Sequence, residues 1–386
     1  MDPQNEEMSC EEDVLRWLAA QVDTSKEFCI CVSRINFVER SLLLWRRQKL
    51  SSPVNTLKIT FLGEAGVDTG ALRKEFLTEL IGGIETRLFK GEEGKGKMPK
   101  YSLNDVDNGL FQVAGEVFAV SLAQGGPAPR FLQGWCYDFL LSGTLENVTK
   151  DNVYDAEISP LIKMIEETSE LSSYSEQIVN CGYTGPINED NKEKITRAIV
   201  MHAAARRSLM LQQLREGLKL YNLIDVMEKN REVCRSLFVV QGGDDKVDSH
   251  YIVSHLVPQM SESGTLKHAK EVKILNHFQD FLMELEDDND EDDTQDEEAL
   301  SVPRVMQWLT GQAHRHLLLS QRQAFKITVE FDHTCMQRMP SHTLCYPIVS
   351  ACTQTITFPT AHLSDFNEFK EIMKTAVQHG ACFYRV

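Results

Sequence analysis

The stretch PIVSACTQTITFP, residues 347–359, sets one cysteine, Cys352, between a run of small and β-branched residues and an alternating segment that halts at a proline. Ile356 and Phe358 alternate with Thr355 and Thr357, the period of a strand with one buried face, and Pro359 has no N–H to carry the ladder further. The pattern predicts a loop or strand edge at Cys352, followed at once by a strand. Upstream, FKITVEF (325–331) alternates in the same way. Around these strands, VKILNHFQDFLMEL (272–285), VPRVMQWLTG (302–311) and DFNEFKEIMKTAVQHG (365–380) read as helices. In the last of them Phe366, Phe369, Met373 and Val377 share one side, and Gly380 is placed to stop the helix. Such a mixture predicts a small α+β lobe at the end of the chain.

Further towards the start the pattern is mainly helical. In INFVERSLLLWRRQKL (35–50), Phe37, Leu42, Leu44 and Trp45 can share an apolar face; the polar SSPVNT (51–56) and the strand-like LKITFLG (57–63) follow. Apolar residues recur at steps of three and four through FQVAGEVFAVSLAQG (111–125) and RAIVMHAAARRSLMLQQLREGLKLYNLIDVM (197–227). PQMSESGT (258–265) is polar and without period, the composition of a flexible hinge. A chain of 386 residues is long enough for two or three lobes with separate cores. The expected organisation is an extension over 1–29, a mainly helical N-lobe over 30–257, a hinge over 258–265 and a smaller α+β C-lobe over 266–386.

Composition narrows the function. No apolar run approaches the roughly 18–20 residues of a membrane-spanning helix. The opening MDPQNEEMSC resembles neither a secretory signal nor an Arg-rich transit peptide, so an intracellular location is expected, with no membrane partner. Net charge is −17, and ten acidic side chains fall within EDDNDEDDTQDEE (286–298), which reads as a solvated acidic loop in the C-lobe. Basic residues do not cluster beyond pairs such as Arg46-Arg47 and Arg206-Arg207, which argues against nucleic acid. The ten cysteines, without an export signal, read as reduced thiols. Cys29 and Cys31 have no second pair at zinc-finger spacing, so neither a metal nor a cofactor is expected.

A thiol reacts as its thiolate, so a working cysteine needs exposure and a supportive surrounding. An arbitrary cysteine is more often a small buried hydrophobe. His342, His362 and His379 lie near Cys352 in sequence and allow a Cys–His protease pair, yet no Gly- or Gln-containing nucleophile signature surrounds any cysteine.

The tail resembles the end of a HECT-type ubiquitin ligase domain, whose pattern is Leu-Pro-x-Ser/Ala-x-Thr-Cys-Phe-Asn-x-Leu-x-Leu-Pro. Pro347 stands five before Cys352, and Ile356, Phe358 and Pro359 take the Leu-x-Leu-Pro places. The ending CFYRV puts Phe383 where the family carries a phenylalanine needed for transfer to substrate. KITFLGEAGVDTGALRKEF (58–76) resembles the family's amino-terminal signature through Phe61, Gly63, Glu64, Gly66, Asp68, Gly70, Glu75 and Phe76, with Lys74 in the Arg place. LFQVAGEVFAVSLAQGG (110–126), INEDNKEKI (187–195), LREGL (214–218) and WLTG (308–311) match further motifs in order, so the resemblance covers residues 30–386. Several linked motifs make a strong signal where one alone is weak. Read physically, Gly63, Gly66 and Gly70 serve a tight strand-to-helix turn, with Asp68 capping a helix that begins near Gly70.

The resemblance implies a bilobal, compact and atypical HECT-like fold and a two-step acyl transfer. Cys352 would take ubiquitin from a conjugating enzyme as a thioester and pass it to a lysine of a protein substrate. Rotation about the hinge would bring the thiol to donor and acceptor in turn, with Phe383 supporting the second arrangement. No cofactor is implied. Three neighbours depart from the family: Ala351 stands in place of Thr, and Thr353 and Gln354 in place of Phe and Asn. The segment 154–182 is also shorter than the family's conjugating-enzyme subdomain. These departures favour an alternative, a weak or inactive HECT-shaped module that binds ubiquitin or a conjugating enzyme. PSHTLC (340–345) offers a competing nucleophile, Cys345, with a proline five residues before it but no Leu-x-Leu-Pro equivalent after it.

Overall fold

The computed structural model describes residues 8–47, 51–64, 70–92, 94–146, 148–152, 155, 158–240, 247–291, 300–338 and 340–379. Its fold is α+β, as expected. The chain divides into two compact units, one of Met1–Phe28, Asn36–Leu57 and Glu79–Gly242, the other of Cys29–Ile35, Lys58–Thr78 and Gly243–Val386. The segment 258–265 lies inside the second unit, which also takes in two stretches from the first quarter of the chain. β1 (Asp23–Val32) and β2 (Asn55–Phe61) pair with each other. β1 buries Phe28, Ile30 and Val32 and leaves Cys29 and Cys31 exposed, the alternation of a half-buried strand.

In the first unit the helix Leu110–Ala123 is apolar on nearly every side and is buried along almost its whole length. Such a helix belongs at the centre of a core. Helices Glu11–Ala20 and Ser208–Gly217 pack on it. Beside it, Phe89 opens the hairpin of β3 (Phe89–Glu92) and β4 (Gly96–Pro99), with its ring 5.1 Å from Phe131 and 6.2 Å from Phe111. The contact with Ser208–Gly217 is made through glycines. A Cβ on Gly217 would lie 2.0 Å from the Gln112 carbonyl oxygen, and one on Gly115 2.3 Å from that of Leu214. Neither backbone can yield without separating the helices. Gly217→Ala is expected to lower the midpoint of chemical unfolding by the equivalent of about 1–3 kcal/mol; an unchanged midpoint would rule out the close approach.

The stretch 197–227 is not one helix. Lys192–Ala205, Ser208–Gly217 and Leu223–Lys229 are separate, and the second break arises because Tyr221 and Asn222 take φ of 57° and 56°. Two left-handed residues break the i to i−4 ladder. Tyr221 is held there by donating from its hydroxyl to the Pro53 carbonyl at 2.6 Å. Apolar spacing continues through the break, so periodicity alone cannot reveal it.

The second unit contains a four-stranded sheet in the order β5-β6-β8-β7. β5 (Leu256–Pro258), β6 (Ile327–Asp332) and β8 (Thr355–Pro359) are parallel, and β7 (Ile348–Ser350) is antiparallel to β8 at the edge. Ile327, Val329, Ile356 and Phe358 turn into a core completed by Phe278 and Phe281 of helix Leu266–Glu291, Met306 and Leu309 of helix Val302–Thr310, and Phe369 and Met373 of helix Phe366–His379. These are the faces that the sequence periodicity selects. The first long helix runs on to Glu291, into the acidic run that was expected to be a loop. Extending a helix already nucleated and packed costs little, and Ser249 donates to the Glu286 carboxylate within that extension. Residues 292–299 of the run lie outside the described residues.

Arg34 ties the two early stretches of this unit to each other. Arg34 lies over the Phe61 ring at 4.1 Å, pairs with Glu75 at 3.0 Å and donates to Glu64, also at 3.0 Å. Two acidic residues of the amino-terminal signature thus share one guanidinium. Gly63 and Gly70 both take positive φ, 87° and 116°, as the turn before helix Ala71–Leu88 needs; Gly66 and Asp68 lie outside the described residues. Gly311 sits against the start of that helix, where a Cβ would be 3.0 Å from the Ala71 carbonyl oxygen.

His316 is buried in this unit and accepts from the Gln312 amide across 3.1 Å. Burial, with Lys74, Arg322 and His255 nearby, pushes its pKa down to about 4. The unfolded chain binds a proton here as pH falls below about 6.5, whereas the folded one resists until about 4, so stability is lost across that window. The loss should reach about 3 kcal/mol by pH 4. Urea unfolding of His316→Gln across the same pH range should show a shallower decline; an identical slope would remove His316 as its source.

Candidate functional site

β7 and β8 form a hairpin whose last pair is Ser350 with Thr355. The four residues between them make the turn, and Cys352 is exposed within it. Gln354 closes the turn at φ 51°, and its carbonyl accepts from the Thr328 amide of β6 at 2.8 Å. Buried Ile356 and Phe358 then fasten β8 into the core. The thiol is therefore carried on a short arm with a rigid root, where a large partner can reach it. The Thr353 hydroxyl is engaged inside the turn, donating to the Ser350 carbonyl at 3.4 Å and lying 3.1 Å from Thr355 Oγ1. Ala351 supplies no hydroxyl. Phe383, the other residue singled out by sequence, lies outside the described residues, as does Gly380.

Cys345 is placed differently. It is half-buried, and burial, followed by the neighbouring Cys335, pushes its thiol up to about 11. A thiol that stays protonated at neutral pH is a poor nucleophile. The structure gathers His342 and His362 to this cysteine. Donor atoms of Cys335, His342, Cys345 and His362 all lie within 4.8 Å of one another, and Cys352 does not belong to that group. The two histidine Nε2 atoms are 2.9 Å apart, with their rings edge to face. His379 stands exposed at the end of the last helix. Sequence reasoning missed Cys335 and the convergence, because it looked for closely spaced cysteine pairs. The available signal was four of the cysteines and histidines within 335–362, three between β6 and β7 and one after β8.

The expected hinge is fastened in this structure. Ser261 donates its backbone N–H to Glu271 at 2.7 Å, and the same carboxylate meets His333 Nε2 at 2.6 Å. His333 Nδ1 reaches Thr360 Oγ1 at 3.0 Å, so a partly buried chain of polar groups ties residue 261 to the loop after β8.

No family model matches the chain. It is similar to curated proteins named "G2/M phase-specific E3 ubiquitin-protein ligase": 28% identical over 247 residues to that of Gallus gallus, covering 58% of this chain and 32% of the relative. The Macaca fascicularis protein of that name is 23% identical over 62% of this chain and 34% of its own length, and the Homo sapiens one 22% identical over 66% and 36%. The chain thus spans about a third of the length of these relatives. Its likeness, over more than half its own length, is to E3 ubiquitin-protein ligases.

Proposed function

We propose that the chain is a HECT-type ubiquitin ligase domain that takes ubiquitin onto Cys352 and passes it to a substrate lysine. The observation that carries this reading is the exposed thiol of Cys352, presented on a turn rooted in the sheet, in a chain whose relatives are named E3 ligases. Ubiquitin, a conjugating enzyme and a lysine-bearing protein are the partners, meeting inside the cell.

In the first step the Cys352 thiolate attacks the carbonyl of the ubiquitin thioester. The bond to the conjugating enzyme's sulfur breaks, and that enzyme leaves as its thiolate. In the second, the neutral amine of a lysine attacks the new thioester, loses a proton to solvent and forms an amide as Cys352 sulfur departs. Each step exchanges one acyl bond for another, so neither nucleotide nor metal enters the chemistry. Moving the thiol between partners by a swivel at 258–265 would have to release Ser261 from Glu271.

Incubating the purified chain with activated ubiquitin and a panel of conjugating enzymes tests the proposal. A ubiquitin adduct that reductant removes is expected. Folded protein that never loads with any enzyme would favour the second reading, a binding module, to which the missing hydroxyl at Ala351 and the committed hydroxyl of Thr353 already point.

A further inference from the structure

We propose that Cys335, His342, Cys345 and His362 hold a zinc ion in a closed tetrahedral site, which fastens the loop between β6 and β7 to the end of β8. The donor set is two thiols and two imidazoles, the composition of structural zinc centres. A tetrahedral ion with Zn–S of about 2.3 Å and Zn–N of about 2.0–2.1 Å sets its ligand atoms about 3.3–3.8 Å apart. Here all the donor atoms lie within 4.8 Å of one another and the two Nε2 atoms are 2.9 Å apart, so small side-chain shifts are enough to seat the ion.

The arrangement of the imidazoles is also compatible with a cation between them. Two facing Nε2 atoms need a shared proton to avoid opposing lone pairs, whereas a metal takes a lone pair from each. Two thiolates balance the charge of Zn²⁺, which suits a site where Cys335 is only 2% exposed. Binding releases two thiol protons to solvent. Thiolate and imidazole together in a tetrahedron favour zinc over magnesium or calcium.

The local fold has a use for such a link. Between β6 and β7, residues 333–347 contain one short helix, Cys335–Arg338, among the described residues. Three of the ligands come from this loop and the fourth, His362, from the turn after β8. A long segment with little regular structure needs another source of order, and a metal bridge supplies it by closing the loop. The same ion would commit Cys345 as a ligand and leave Cys352 as the reactive thiol of this region. The site does not depend on ubiquitin transfer.

The test is elemental analysis of the full chain purified without chelator, with cobalt(II) uptake as a second readout. One zinc per chain is expected, falling to none in Cys345→Ser and in His362→Gln, while Cys352→Ser and Cys29→Ser keep it. Cobalt should give the intense visible bands of tetrahedral coordination together with a thiolate charge-transfer band. That spectrum, taken on the unmodified chain, decides the matter if the ligand variants fail to fold. Zinc retained by Cys345→Ser, an unmodified chain that takes up neither metal, a cobalt spectrum without thiolate ligation, or a Cys335–Cys345 disulfide in protein isolated under reducing conditions would each overturn the proposal. Loss of ubiquitin loading with zinc intact would count only against the ligase reading.

Discussion

Cys352→Ala is expected to abolish the proposed reductant-sensitive ubiquitin adduct, and Cys345→Ala to leave it on whatever fraction of the protein remains folded. The two thiols lie seven positions apart in sequence, and each has a proline five residues before it. Their surroundings differ. Cys352 is exposed on a turn that Ile356 and Phe358 anchor, whereas Cys345 is half-buried beside Cys335, and without a metal that burial pushes its thiol up to about 11. Acyl transfer needs a thiolate that can approach a bulky thioester, and burial counts against Cys345 on both grounds. Removing the nucleophile itself takes loading to background rather than reducing it by degrees. The informative comparison is a non-reducing gel of both variants with one conjugating enzyme, with circular dichroism to establish folding. Loading that survives in Cys352→Ala and disappears in folded Cys345→Ala would reverse the assignment.

Replacing Arg207 by Met is expected to cost the first unit about 3–5 kcal/mol, the penalty for stranding one member of a buried ion pair. The side chains of Arg207 and Asp155 are 4% and 1% exposed and meet at 2.7 Å. The remaining guanidinium donors are also engaged, Nε on the Pro99 carbonyl at 3.0 Å and Nη1 on that of Ala203 at 2.6 Å. Methionine keeps the apolar stem but removes the cation closest to Asp155 in these contacts, leaving the Lys90 ammonium further off at 3.6 Å. The double variant Arg207→Met, Asp155→Leu removes both charges and should recover much of the loss, because well-packed apolar groups can replace a buried pair at little cost. Urea unfolding of the single and double variants reads this directly. A single variant that loses less than about 1 kcal/mol, a surface-pair value, would contradict the burial argument.

Both residues at this buried pair look ordinary in the sequence. In the sequence Arg207 is half of a short basic pair, and nothing around Asp155 marks a core position. Charge patterning along a chain reports neighbours in sequence, while the Arg207–Asp155 pair joins residues 52 positions apart. The acidic run misled in the opposite direction. Its charges suggested a loop from residue 286, but the helix persists to Glu291 because its preceding turns are already nucleated and packed.

Residues that repeat with the period of their own backbone were legible in the sequence alone: the strands over Ile327–Asp332 and Thr355–Pro359, the helix faces of Phe278, Met306 and Phe369, and the α+β class that follows from them. Local period reports which side of an element meets the core, and that information is stored within a few residues. The tertiary structure alone decided the break at Tyr221 and Asn222, the sharing of Arg34 by Glu64 and Glu75, and the meeting of Cys335, His342, Cys345 and His362. Each depends on the path of loops without period, which brings distant side chains to one point; polar and sulfur donors carry no stripe by which a linear reading can pair them.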